Sequence, residues 1–118
     1  MDRRNLIAGC MGAIAVTLGA FGAHGLRSRF ALLPEAALWW QTATFYLLTH
    51  AVAVGAIRSG GSGWFWTIGA AIFSGTLYAL ALGAPRWLGA VTPVGGVLLL
   101  AGWVALAWRS VRPAPPKA

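Results

Sequence analysis

LIAGCMGAIAVTLGAFGAHGL, from Leu6 to Leu26, contains no charged side chain. As one helix it measures about 30 Å, the thickness of a bilayer's hydrocarbon core. Arg3 and Arg4 precede it and Arg27 and Arg29 follow it, the usual flanks of a membrane span. Three more blocks of this kind follow. The second runs from about Ala36 to Ile57, behind Pro34, which suits a first helical turn, and Glu35, which complements the positive end of the helix dipole. Trp39 and Trp40 sit where an interfacial belt is expected. Arg58-Ser59-Gly60-Gly61-Ser62-Gly63 then breaks the pattern. The third block runs from about Trp64 to Leu82 and stops at Gly83-Ala84-Pro85. The fourth opens at Thr92-Pro93, read as an N-cap with Pro at the first helical position, and covers about 93–108. The predicted architecture is all-α: a transmembrane four-helix bundle over residues 1–110, with spans near 6–26, 36–57, 64–82 and 93–108. A Pro-rich, disordered tail is predicted over 111–118.

Composition agrees. Charged residues make up 9% of the 118-residue chain and hydrophobic ones 58%, whereas soluble domains carry roughly 25% charged residues. The net charge of +7 raises nucleic acid as a partner, but the basic residues stand singly or in pairs between apolar blocks and form no face for a duplex. They instead orient the spans. The N-terminus, the 58–63 linker and the tail hold six Lys/Arg; the other side holds three, Arg27, Arg29 and Arg86. Positive charge favours the cytoplasm, so both termini are expected there, in a multi-pass protein of the cell (inner) membrane. The single cysteine excludes an internal disulfide. Leu6-Ile7-Ala8-Gly9-Cys10 resembles a lipoprotein box, but Arg4 lies too close to Cys10 for an apolar h-region. Signal-peptide cleavage near Ala20-Phe21-Gly22-Ala23 is the stronger rival; it is set aside because the block is long enough to span and no soluble domain follows.

Helices in lipid associate through close packing of small residues. Ala15, Gly19 and Ala23 recur every four residues in span one, and Ala71, Gly75, Ala79 and Gly83 in span three. Polar residues in the spans also fall in stripes: Cys10, Thr17 and His24; Thr42, Tyr46 and His50; Thr67, Ser74 and Tyr78. Span four has one polar side chain between Val94 and Ala107, the indole of Trp103. The expectation is a polar seam where spans one to three meet, with span four as a lipid-facing buttress. The seam either fixes the packing by hydrogen bonds or lines a path for a proton, ion or small solute; intramembrane ionisable groups raise the second reading by default.

The two histidines invite a metal or haem. Their depths, about 12 Å outward of the middle of span one for His24 and about 4 Å inward for His50, differ by roughly 16 Å, too far for one ion. Gln41 and Thr42 are the expected partners of His24, and Tyr46 that of His50. Two acids, Asp2 and Glu35, build no nucleophile–base–acid set. Gly60-Gly61 and Gly95-Gly96 lack the strand–loop–helix setting of a phosphate cradle. No enzymatic activity and no cofactor are expected; the partners expected are the lipid bilayer and other copies or a larger membrane complex.

Three segments carry a family resemblance: Gly19-Ala20-Phe21-Gly22-Ala23-His24-Gly25-Leu26, Trp40-Gln41-Thr42-Ala43-Thr44-Phe45-Tyr46-Leu47-Leu48-Thr49-His50-Ala51, and Thr92-Pro93-Val94-Gly95-Gly96 with Gly102-Trp103. Together they resemble domain-of-unknown-function family 423. This is the YgdD-like group of small bacterial membrane proteins, which has a mitochondrial transmembrane relative. The resemblance implies four transmembrane helices and no established activity. It also marks His24, Thr42, Tyr46 and His50 as signature positions.

Overall fold

The computed structural model describes residues 1–112, so the predicted Pro-rich tail lies outside the described residues from 113 onward. Every regular element among the described residues is helical. Helix α1 (Arg3–His24) starts at Asp2, whose carboxylate accepts the Asn5 N–H at 3.2 Å and caps the first turn. A short helix the sequence does not announce, α2 (Arg27–Leu32), leads into α3 (Pro34–Ala56), with Pro34 in the first turn and Glu35 beside it. Gly60, at φ +58°, turns the chain into α4 (Ser62–Ala81). The far end of α4 is closed by Gly83 at φ +100°. There the Ala84 N–H bonds the Ala79 carbonyl at 3.0 Å and the Gly83 N–H bonds that of Leu80 at 3.1 Å, the double closure a left-handed glycine permits. A 3-10 turn, Arg86–Ala90, then precedes α5 (Thr92–Val111).

Three stretches are long and apolar enough to cross a membrane: Arg3–His24 and Arg86–Val111, each with mean hydropathy 1.9, and Ser62–Ala81 with 1.3. Helix α3 has 23 residues, about 35 Å. It is not among the three because Gln41, Thr42, Thr44, Thr49 and His50 dilute its apolar residues. It is also the helix with neighbours on two sides. Close backbone packing joins α1 to α3, α3 to α4 and α4 to α5. The long helices therefore pack mainly in chain order, with α1 and α5 at the two ends of the series.

Small residues set each crossing. On α1 the contact face is Ala8, Gly12, Ala15, Gly19 and Gly22. A Cβ at Gly19 would stand 3.1 Å from the Thr44 methyl, and one at Gly55 of α3 would stand 3.1 Å from the Ala8 methyl. Trp40 lies over Gly22, and its indole N–H donates to the Leu18 carbonyl at 2.7 Å. Trp40 thus belongs to the core, at 3% exposure, and not to the interfacial belt predicted for it. Between α4 and α5 the approach is closer still: a Cβ at Gly69 would meet the Gly95 carbonyl oxygen and the Leu99 nitrogen, both at 2.9 Å. Gly102 leaves room for the indole of Trp66 in the same way, with 2.5 Å from such a Cβ to Nε1. Most of span four faces outward, as expected of it, but its inner edge packs closely. It is clamped to α4 through Gly95, Leu99 and Gly102, all buried.

The outer surface is apolar, with Ile14, Val16, Phe45, Val52, Ile68, Val97, Leu100 and Val104 all exposed. In water such a surface would drive aggregation; in lipid it is solvated.

Candidate functional site

Where α3, α4 and α5 meet, His50 is buried at 4% exposure among aromatic rings. Trp103 of α5 lies edge-on at 5.9 Å between centroids, Trp66 of α4 at 6.5 Å, and Tyr46 stacks one turn away at 6.1 Å and 9°. Trp66 and Trp103 are themselves 4.4 Å apart. Both imidazole nitrogens are engaged: Nδ1 lies 2.7 Å from the Tyr46 carbonyl oxygen and Nε2 lies 3.0 Å from the indole nitrogen of Trp103. An indole N–H only donates. Nε2 must then accept, and the proton belongs on Nδ1, which donates to the carbonyl. The network assigns a single neutral tautomer.

Other polar side chains along the crossings are spent similarly. Ser74 donates to the Ala43 carbonyl at 2.7 Å, and the Thr44 and Tyr78 hydroxyls meet at 2.7 Å, both between α3 and α4. Thr76 and Thr92 meet at 2.7 Å between α4 and α5. Thr92, expected as an N-cap, bonds back to the Leu88 carbonyl at 3.2 Å instead. Two buried N–H groups have no partner among the described residues: the Nε–H of Arg4 and the indole N–H of Trp66, the latter fully enclosed against Gly102.

The predicted seam across spans one to three is not assembled. Thr17 and His24 are exposed on the outer face of α1, and Thr42 is half-buried with no hydrogen bond from its hydroxyl among the described residues. Of the residues singled out, Tyr46 and His50 come together, with Trp103 of α5 on His50, while Ser74 and Tyr78 lie further along the α3–α4 crossing. The reason is geometric: α1 packs on α3 through its small-residue face, which turns Cys10, Thr17 and His24 outward. Of the predicted packing residues, Ala15 and Gly19 face α3, whereas Ala23, Ala71 and Gly75 are exposed and Ala79 is half-buried. The reading missed Thr44, Trp66 and the indole of Trp40. Trp103 carried the one available signal, as the single polar side chain deep in its helix.

At its two ends the molecule is laced by arginine. The Arg29 Nε–H donates to the Ala81 carbonyl at 3.0 Å, capping α4. Arg109 of α5 donates to the Ser59 carbonyl and, at 2.5 Å, to the Ser62 hydroxyl.

Long apolar helices, an apolar exterior and internal polar groups consumed between helices define a multi-helix membrane protein. The matching family model, DUF423, is described as a protein of unknown function and covers residues 18–96. A UPF0382 membrane protein of Staphylococcus saprophyticus is 41% identical over 111 residues, 86% of this chain and 91% of its own length. One from Haemophilus influenzae is 41% identical over 86% of this chain and 87% of its own. One from the fission yeast Schizosaccharomyces pombe is 36% identical over 85% of this chain and 94% of its own. The chain belongs to this family of membrane proteins. No solved structure matches it.

Proposed function

We propose that this protein is a four-span, non-enzymatic component of the cell membrane, the inner one where there are two, with both ends in the cytoplasm. It works as a structural or accessory subunit, assembled with further copies or within a larger membrane complex. The observation that carries this reading is the use of the buried polar groups: His50, Thr44, Ser74, Tyr78, Thr76 and Thr92 all spend their hydrogen bonds inside the helix array. Groups committed this way hold helices together, and their donors are directed at fixed protein acceptors and not along a path through the array. Four spans are favoured because α3 lies between α1 and α4 and is long enough to cross with them. Its polar residues are tolerable there, since its neighbours supply partners that lipid lacks. The cytoplasmic placement of the ends rests on the Lys/Arg count.

The small, exposed residues Ala71 and Gly75, and the unshared outer faces of α1 and α5, offer surface for such assembly. Isolation in mild detergent tests it. Oligomers or a co-purifying membrane complex are expected, and a strictly monomeric species without partners overturns the reading. Labelling of cysteines introduced beside Arg58 and beside Arg86 checks the topology, with access from the cytoplasm expected for the first alone.

A further inference from the structure

At one end of the molecule, the start of α1, the end of α3 with the turn after it, and the start of α4 line an open pocket of about 490 Å³. Its upper wall is basic, with Arg3, Arg4 and Arg58; its floor is apolar, with Ile7, Val54 and Trp64. None of the three arginines has a carboxylate partner among the described residues, where the one ion pair, Arg86–Glu35 at 4.0 Å, sits at the opposite end. The Nε–H of Arg4 is itself buried and meets no acceptor among the described residues. Three cations lining one pocket with no carboxylate between them repel one another, and a bound anion relieves that repulsion. Arg3 and Arg58 are exposed and Arg4 is half-buried, so the basic wall is open to an incoming anion.

The other end makes the contrast. It too has a cavity, of about 370 Å³, lined by Arg29, Glu35 and Arg86. There Arg86 faces Glu35 and Arg29 caps a helix, so its cations are already answered.

We propose that the Arg3–Arg4–Arg58 cavity binds the phosphate headgroup of an anionic glycerophospholipid. Guanidinium forks match phosphate oxygens in pairs. Trp64, exposed at the start of α4, has the amphipathic ring found at headgroup depth. Below it the backbones of α1 and α4 do not pack on one another, and Ile7 and Val54 continue the apolar floor on which an acyl chain lies. A basic pocket between spans with an apolar continuation fits a whole lipid; a soluble phosphate would use the arginines and leave the floor bare.

Native mass spectrometry of detergent-purified protein titrated with phosphatidylglycerol or phosphatidylcholine tests the assignment. Wild-type protein is expected to retain phosphatidylglycerol in preference to phosphatidylcholine, and equal retention overturns the proposal. Each arginine removed is expected to weaken binding about fivefold, and R3Q/R4Q/R58Q on the order of a hundredfold. R27Q/R86Q, at the opposite end, is expected to bind as wild type. A triple variant within twofold of wild type, or an equal loss in R27Q/R86Q, overturns it. If the triple variant does not insert, R58Q alone carries the test, with its fivefold loss. Inorganic phosphate at millimolar concentration is expected not to displace the lipid; displacement overturns the lipid assignment in favour of a soluble anion. These outcomes are independent of oligomeric state, so they stand or fall apart from the assembly proposed above.

Discussion

Replacing Gly95 by alanine tests the α4–α5 crossing most directly. A Cβ there would stand 2.7 Å from the Gly69 carbonyl oxygen, and one at Gly69 would stand 2.9 Å from the Gly95 carbonyl oxygen. Real Cβ contacts rarely fall below 3.4 Å. The obstructing atoms, the Gly69 carbonyl oxygen and the still closer Phe73 nitrogen, are backbone and cannot swing aside, so the two helices must separate by at least 0.7 Å, the difference between 3.4 and 2.7 Å. A gap of about 0.5–1 Å forfeits between a quarter and a half of each dispersion contact along the crossing. Overpacking typically costs about 1–3 kcal/mol. Because the separation runs along a whole helix pair, Gly95→Ala is expected near the upper end, at about 2–3 kcal/mol. Gly69→Ala is expected to cost about the same, and the double variant markedly less than the sum, since one separation relieves both clashes. Unfolding in mixed micelles followed by tryptophan fluorescence reads this well, because Trp66 and Trp103 flank the crossing. Gly75→Ala, with nothing within 4 Å of its Cβ, is the matched control and is expected to be neutral or slightly stabilising. A Gly95→Ala protein as stable as wild type, or a fully additive double variant, would refute the close crossing.

Three more expectations use the same unfolding assay or a local probe. Trp103→Phe leaves the His50 Nε2 without its donor and is expected to cost about 1–3 kcal/mol; adding His50→Leu removes the stranded acceptor and recovers part of that loss. A double-mutant cycle with Thr44→Val and Tyr78→Phe is expected to give a coupling of about 0.6 kcal/mol, and not above about 2, the usual range between membrane helices. Arg109→Gln frees the turn at 59–62, so amide exchange is expected to rise there while the α3–α4 crossing keeps its protection.

Much of the helical layout is legible in the residues. Pro34 and Glu35 do open α3, and Gly83-Ala84-Pro85 does close α4, because local backbone chemistry decides both. The crossing faces are harder to read. A strict four-residue step drifts about 40° per turn-length around a helix. The true α1 face therefore alternates steps of four and three, through Ala8, Gly12, Ala15, Gly19 and Gly22, and leaves Ala23 outside. In α4 two small-residue stripes compete, and nothing local distinguishes the exposed Ala71 and Gly75 from the buried Gly69 and Ala70. Likewise, the polar stripe of α1 had the right spacing for a seam. Its direction depends on which face docks, a tertiary choice. His50 was found because an ionisable group in a span is rare; its Trp103 partner sits on a helix whose apolar composition alone suggested lipid contact.

The serial packing of α1, α3, α4 and α5 has a consequence for how the protein is made. Each helix leaving the translocation machinery meets its permanent neighbour in the span just inserted, so no long search in the bilayer is required. On the four-span reading proposed above, α3 is the exception in exposure: it carries Thr44 and His50 into lipid before α4 and α5 exist to answer them. Synthesis halted between residues 61 and 111 would leave that polar edge bare, the form in which this chain is most open to capture by insertion chaperones or membrane proteases.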